Sequence, residues 1–160
     1  MYLVLLLARQ GPPIEDRLRP VSERPPGYGD RVKKLWVHRD IDAPAEILWA
    51  LLTDLDCWPR WGPSVRHAQL DGGFQTGAVG VVTTVLGARL PFEITACEDG
   101  ERWAWKVGGV PATDHTVRRL GAGRSRVGFG VPWLAAPYLA VCRVALGRLE
   151  ATATQNRVAS

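Results

Sequence analysis

The sequence predicts a single α+β domain in which seven antiparallel strands are followed by one long C-terminal helix. Between residues 64 and 131, alternating or valine-rich segments are separated by short glycine-containing turns, which is typical of antiparallel strands. From Leu134 to about Gln155 the apolar residues recur at helical spacing. An amphipathic helix that follows an antiparallel sheet buries its apolar stripe by packing on that sheet.

The length of 160 residues fits one domain with its own hydrophobic core. Residues 10–34 are rich in proline, arginine and acidic side chains, with too little apolar area to offset the entropy of ordering them. We therefore expect residues 1–34 to form a flexible or surface-packed extension and residues 35–160 to form the domain. The apolar start, Met1–Arg9, is too short to span a bilayer, so no membrane span is expected.

A first strand is predicted over Leu35–Ile41, and a helix is predicted to start at Pro44, because proline fits the first turn of a helix. Helical spacing predicts one buried face made of Ile47, Leu48, Leu51, Leu52 and Leu55. Two prolines and a glycine in Trp58–Pro63 then forbid a long regular helix. Two short helices are therefore expected between the first and second strands. The tryptophans of Trp58–Pro63 are expected to form the rim or lid of an apolar chamber.

Six further strands are expected after this segment. The turn Asp99-Gly100 is a strong hairpin signal, because both residues tolerate positive φ. The predicted strands cover Ser64–Leu70, Ala78–Leu86, Arg89–Cys97, Arg102–Val107, Thr113–Leu120 and Arg124–Val131. Strand alternation predicts an inner face. Its members are Leu90, Phe92, Ile94, Ala96, Trp103, Trp105, His115, Val117, Val127 and Phe129.

The net charge of +4 gives little support to nucleic-acid binding, because the excess lies outside the domain. Residues 1–34 carry seven Lys/Arg against four Asp/Glu, whereas residues 35–160 carry thirteen against twelve. A nearly neutral domain lacks the basic patch that nucleic-acid binding requires, so no nucleic-acid partner is expected.

The cysteines and histidines indicate neither disulfides nor a metal. The three cysteines are odd in number and far apart, which favours a reducing, cytoplasmic compartment. The three histidines are equally scattered and show no metal-ligand spacing. No metal and no cofactor are expected.

The order of elements over residues 35–155 resembles the SRPBCC superfamily, also called the START or Bet v 1-like fold, and most closely its polyketide cyclase/dehydrase branch. The resemblance rests on Ile41–Glu46 with Trp49, Asp54, Trp58–Trp61, Trp103–Trp105, His115, Arg126–Phe129 and Leu149-Glu150. It implies a helix-grip fold, in which a curved antiparallel sheet wraps around the C-terminal helix and encloses an apolar cavity. It also implies that the Trp58–Trp61 turn lies at the cavity mouth.

The residues expected to face this cavity are the candidate ligand contacts. They are Trp58, Trp61, Phe92, Trp103, Trp105, His115, Phe129, Tyr138, Val141 and Cys142. Each of them also has a plainer interpretation as core. His115 is the weak catalytic candidate, although a hydrogen-bonded structural histidine is the commoner case.

We expect the protein to bind a small hydrophobic molecule, such as a polyketide, lipid or isoprenoid, as a monomer or homodimer. The alternative is a polyketide cyclase/dehydrase (aromatase/cyclase), which needs a proton donor and acceptor near carbonyl groups. The resemblance implies a cavity tyrosine and an arginine for that role, but the matching segments, Gly62–Val65 and Ile94–Ala96, contain neither. A second alternative is a non-catalytic interaction module in which residues 1–34 recruit a partner.

Overall fold

The computed structural model describes residues 33–158 and confirms the α+β helix-grip arrangement. Seven strands form one curved antiparallel sheet in the order β1-β7-β6-β5-β4-β3-β2. The strands are β1 (Lys34–Ile41), β2 (Val65–Leu70), β3 (Val79–Thr84), β4 (Arg89–Glu98), β5 (Arg102–Val107), β6 (Val110–Gly121) and β7 (Arg124–Pro132). The predicted extension lies outside the described residues except for Lys33 and Lys34, and Lys34 already belongs to β1.

Two short helices connect β1 to β2, as predicted: α1 (Ala45–Thr53) and α2 (Trp58–Trp61), joined by one 3₁₀ turn. The predicted buried face is correct for Leu48, Leu51 and Leu52, whereas Leu55 lies in the 3₁₀ turn after α1 and is half-buried. The prediction for Ile47 is wrong, because 41% of its surface is exposed. Successive helical residues are about 100° apart, so the residue before Leu48 already lies beyond the edge of the stripe that the sheet covers.

The long helix, α3, covers Leu139–Val158 and starts later than the predicted Leu134. The segment Trp133–Tyr138 forms a 3₁₀ helix instead, with Ala135 at φ −98° and ψ 21° and with Pro137 inside it. Proline lacks the N–H that an α-helix would use there, so the regular helix begins only after it. The α3 helix packs on β1, β7, α1 and α2.

Strand alternation places most of the inner face as predicted. The buried members are Phe92, Ile94, Trp103, His115, Val117, Val127 and Phe129. Ala96 is wrong. A bulge between Ile94 and Ala96 reverses the alternation, so Ala96 pairs with Ala104 while Cys97 pairs with the buried Trp103.

The outer face of the sheet carries a buried ionic group that anchors β1. Asp114, next to His115 but on the opposite face, accepts hydrogen bonds from Lys34 Nζ and Arg102 Nη2, both at 2.8 Å. The carboxylate is almost fully buried. Its two cationic partners offset the cost of removing it from water.

Candidate functional site

A cluster of stacked rings fills the space between α2 and the inner face of the sheet. The rings of Trp58 and Trp103 are 5.5 Å apart and only 4° from parallel, and His115 lies 3.8 Å from Trp103. We call this group the aromatic cluster; its members are Trp58, Trp61, Phe74, Phe92, Trp103, Trp105, His115 and Phe129. The predicted chamber is therefore solid at this position.

The two tryptophans of α2 belong to the core rather than to a lid. Trp58 Nε1 donates to the Leu52 carbonyl at 2.9 Å, and Trp61 Nε1 donates to the Leu51 carbonyl at 2.8 Å. Both indoles are buried, and these bonds fasten α2 to the last turn of α1. The expected rim beside Trp61 is corrected accordingly, because a hydrogen-bonded and stacked indole does not stand at an opening.

His115 is held as a neutral ring within the aromatic cluster. Burial lowers its pKa to about 3, and the only opposing effect is a weaker one from the backbone of Trp103. Trp105 Nε1 donates to Thr113 Oγ1 at 2.9 Å, and that oxygen lies 3.2 Å from His115 Nε2. A hydroxyl oxygen can accept two bonds and donate one, so the histidine tautomer sets whether Thr113 or His115 is the donor.

A cavity of about 160 Å³ lies beside the aromatic cluster, at one end of the sheet. The β3–β4 turn, the β5–β6 turn and the 3₁₀ helix Trp133–Tyr138 surround it. Its lining is mainly aliphatic. The lining residues are Ser64, Val65, Val82, Thr84, Val85, Leu86, Leu90, Trp105, Val107, Val110, Pro111, Ala112, Thr113, Val131, Pro132, Ala135 and Tyr138.

Two of the ten predicted ligand contacts, Trp105 and Tyr138, line this cavity. Phe92 borders a groove on the outer face, but its ring is buried in the aromatic cluster on the inner face. The remaining seven do not line it. They are Trp58, Trp61, Trp103, His115, Phe129, Val141 and Cys142. Most of the lining was missed because the chamber was predicted between the sheet and the C-terminal helix, with its mouth at Trp58–Trp61, whereas no residue of α3 lines the cavity. The sequence does show glycines in the β3–β4 and β5–β6 turns, which border the cavity. Glycines at these positions indicate turns, however, and do not indicate that a cavity lies beside them.

Four hydroxyl-bearing residues line the cavity, and two of them bond to each other, whereas Thr84 and Thr113 accept bonds from Ala88 N and Trp105 Nε1. Ser64 Oγ and Tyr138 Oη are 2.9 Å apart, and either can be the donor. Burial raises the pKa of the Tyr138 phenol, so the phenol stays protonated at neutral pH. Two hydroxyls hold two hydrogens and only one lies between them, so the pair keeps one hydrogen for another acceptor.

The cavity contains no strong acid or base. Among its lining residues there is no Asp, Glu, His, Lys or Arg, and Tyr138 is the one titratable group. A wider and more open groove of about 350 Å³ lies on the outer face of β3, β4 and β5. The Glu93–Lys106 ion pair, at 2.5 Å, lies along that groove.

Within residues 33–158, no group of three or more His, Cys, Asp or Glu residues is placed to hold a metal ion. The same part of the chain has no helix that is both long and apolar enough to cross a membrane.

A family model described as polyketide cyclase/dehydrase and lipid transport matches residues 34–155. The chain belongs to this family. No curated protein matches the chain.

Several solved structures share the fold of this chain. XoxI from Bacillus cereus has a TM-score of 0.63 at 13% identity, covering 78% of this chain and 97% of its own. A protein from Nitrosomonas europaea has a TM-score of 0.59 at 16% identity, covering 78% and 96%. A protein from Thermobifida fusca has a TM-score of 0.57 at 20% identity, covering 73% and 90%. At these identities the likeness shows the fold alone.

Proposed function

We propose that this family member binds a small apolar molecule carrying one hydrogen-bonding oxygen, in the cavity beside Tyr138. The observation that carries the proposal is a mainly aliphatic hollow with a mutually bonded hydroxyl pair, Ser64 and Tyr138, in its wall. Apolar pockets with a few placed polar groups are the usual form of small-molecule sites.

The volume narrows the class of ligand. A dry apolar cavity of about 150 Å³ is known to hold a benzene-sized guest, whereas drug-sized ligands need roughly 300–1,000 Å³. The cavity of about 160 Å³ therefore suits a ring-sized molecule, or one ring of a larger molecule that extends through the opening. A whole polyketide or a long lipid chain exceeds the enclosed space.

Binding without turnover fits the site better than cyclisation does. Aldol chemistry needs a base near its operating pH, but Tyr138 has a raised pKa. His115 has a pKa of about 3 and lies outside the cavity lining. We therefore place the cyclase/dehydrase alternative second. The interaction-module alternative rests on residues 1–34, nearly all outside the described part of the chain.

The test uses 2-naphthol and naphthalene as probes, with binding measured by titration calorimetry. We expect Tyr138→Phe to weaken 2-naphthol binding by about 1 kcal/mol, roughly fivefold, because one hydrogen bond is lost. Naphthalene, which has no oxygen, should bind the variant and the parent protein equally. Ala135→Phe, which fills the cavity, should abolish binding of both probes.

The matched control is Ala140→Phe, which adds the same ring at an exposed position that does not line the cavity. It should bind both probes like the parent protein. Equal loss of probe binding in Ala135→Phe and Ala140→Phe, or no probe binding by the parent protein, contradicts the proposal. Cyclisation of a poly-β-keto substrate that is lost in Tyr138→Phe or in His115→Ala would instead establish the enzyme alternative.

A further inference from the structure

Four large apolar side chains are exposed around the opening of the cavity. Leu86 has 71% of its surface exposed, Val85 and Trp133 each have 54%, and Leu134 has 45%. Val85 and Leu86 form part of the cavity wall, as do Pro132 and Ala135, which flank Trp133 and Leu134 in the chain. We call these four residues the mouth rim. Isolated exposed apolar residues are ordinary on a protein surface, but four at a single opening form a patch.

The mouth rim lies at an end of the sheet whose turns and strand ends carry no acidic residue. Glu93 and Asp114, the next acidic residues along β4 and β6, are held in ion pairs with Lys106 and with Lys34 and Arg102. Residues 33–39, 62–68, 82–92, 106–113 and 131–149 contain no Asp or Glu. Exposed basic residues lie in or beside the same turns. The carbonyl of Lys33 accepts a hydrogen bond from the Trp133 N–H at 2.9 Å, which places Lys33 beside the rim. Arg89 directly follows the β3–β4 turn, and Arg66 lies two residues after Ser64 of the cavity wall.

The opposite end of the sheet has a different charge pattern. There Asp40 binds Arg126 through two hydrogen bonds, at 2.5 and 2.9 Å, and Glu46 pairs with Arg119. The β4–β5 turn at that end adds Asp99 and further acidic neighbours. The domain is therefore nearly neutral over residues 35–160, but its charge is unevenly distributed, and exposed basic residues without acidic neighbours in the same turns lie at the mouth rim.

We propose that the mouth rim docks on the surface of an anionic lipid bilayer. Tryptophan and leucine at the tips of loops enter the headgroup region, and basic residues beside them are attracted to anionic lipids. The rim consists of two separate projecting tips across an opening. Such tips can insert into lipid without a complementary partner surface, whereas a protein partner would need a continuous face. The proposal does not depend on what the cavity binds.

Vesicle co-sedimentation of the full chain tests this proposal. Phosphatidylcholine vesicles that contain phosphatidylserine should bind the protein, and pure phosphatidylcholine vesicles should bind it weakly. Leu86→Glu should lower binding to the anionic vesicles by roughly tenfold, because it removes an inserted side chain and adds a repelled charge. Salt should weaken the binding of the parent protein.

Leu120→Glu is the matched control. Leu120 is also exposed, at 40%, near the end of β6 at the opposite end of the sheet, and its substitution should leave vesicle binding unchanged. Unchanged thermal unfolding of both variants shows that folding is intact. No binding to anionic vesicles, or equal effects of the two substitutions, overturns the proposal. Binding that survives Leu86→Glu but is lost in Leu5→Glu/Leu6→Glu assigns the contact to the N-terminal segment and also overturns it.

Discussion

The aromatic cluster and the cavity lie on the same inner face of one sheet, yet one region is solid and the other is hollow. In the cluster, α2 delivers Trp58 and Trp61 onto rings that project from the strands. At the cavity the facing segment is the 3₁₀ helix, which presents Ala135, and the strands contribute mainly small aliphatic residues. The difference shows that side-chain size on the facing element decides whether space remains under a curved sheet.

The largest expected effect comes from opening the solid region. Trp58→Ala should lower the free energy of unfolding by about 4 kcal/mol, because it leaves a void among stacked rings and removes the bond to Leu52. Denaturant titration measures this. A loss under about 1 kcal/mol would show that the neighbouring rings collapse into the space and that the cluster is not tightly packed.

A comparison of two phenylalanine substitutions sharpens this result. Trp58 Nε1 has a carbonyl partner, whereas the buried Trp103 Nε1 has none among the described residues. Both substitutions remove a similar apolar volume, so Trp58→Phe should cost about 1 kcal/mol more than Trp103→Phe. Equal costs would mean that the bond to Leu52 contributes nothing.

The two regions should also lose stability at opposite ends of the pH scale, the aromatic cluster at low pH and the cavity at high pH. His115 has a folded-state pKa of about 3 against an ordinary 6.5, so its contribution to stability is complete above pH 6.5 and is lost as the pH falls. The slope for one proton is about 1.4 kcal/mol per pH unit. We expect His115→Phe to remove this slope between pH 6.5 and pH 5. A parent protein without the slope would contradict the neutral, buried state of His115.

Tyr138 behaves in the reverse sense. Burial raises its pKa above the ordinary value of 10, so its contribution is complete below pH 10 and is lost as the pH rises beyond it. Stability measured near pH 10–11 in the parent protein and in Tyr138→Phe checks the sign, since only the parent protein should lose stability through this group.

The last comparison adds side-chain volume instead of removing it. Ala145 is buried in the packed part of α3, and Ala135 is buried in the cavity wall. Ala145→Leu should destabilise the fold by about 2 kcal/mol through overpacking. Ala135→Leu should be neutral or stabilise the fold by up to about 1 kcal/mol, because the added methyl groups enter the void. Equal destabilisation by both would mean that the cavity wall cannot accept them.

The fold could be predicted from the sequence because hydrophobic periodicity and turn-forming residues are local properties of the chain. The Asp99-Gly100 hairpin, for example, lies between β4 and β5 as predicted, and β5 has its predicted bounds. The bulge that turns Ala96 outward depends on pairing with β5, so alternation alone could not show it.

The cavity was predicted less well, because a void is a property of three-dimensional packing. Trp58 and Trp61 have the same sequence pattern whether they line a chamber or fill it. Only their bonds to α1 and their stacking on β5 and β7 residues distinguish these cases. The void lies instead beside the 3₁₀ helix that precedes α3, which contributes Ala135 and Tyr138 to its wall.

The most direct test of the binding account is where a probe lies in the folded protein. Intermolecular nuclear Overhauser effects between 2-naphthol and a methyl-labelled sample should connect the probe to Leu90, Val107 and Ala135 in the cavity wall. Contacts with Val127 and Leu146 of the packed core, or no contacts at saturating probe, would contradict it.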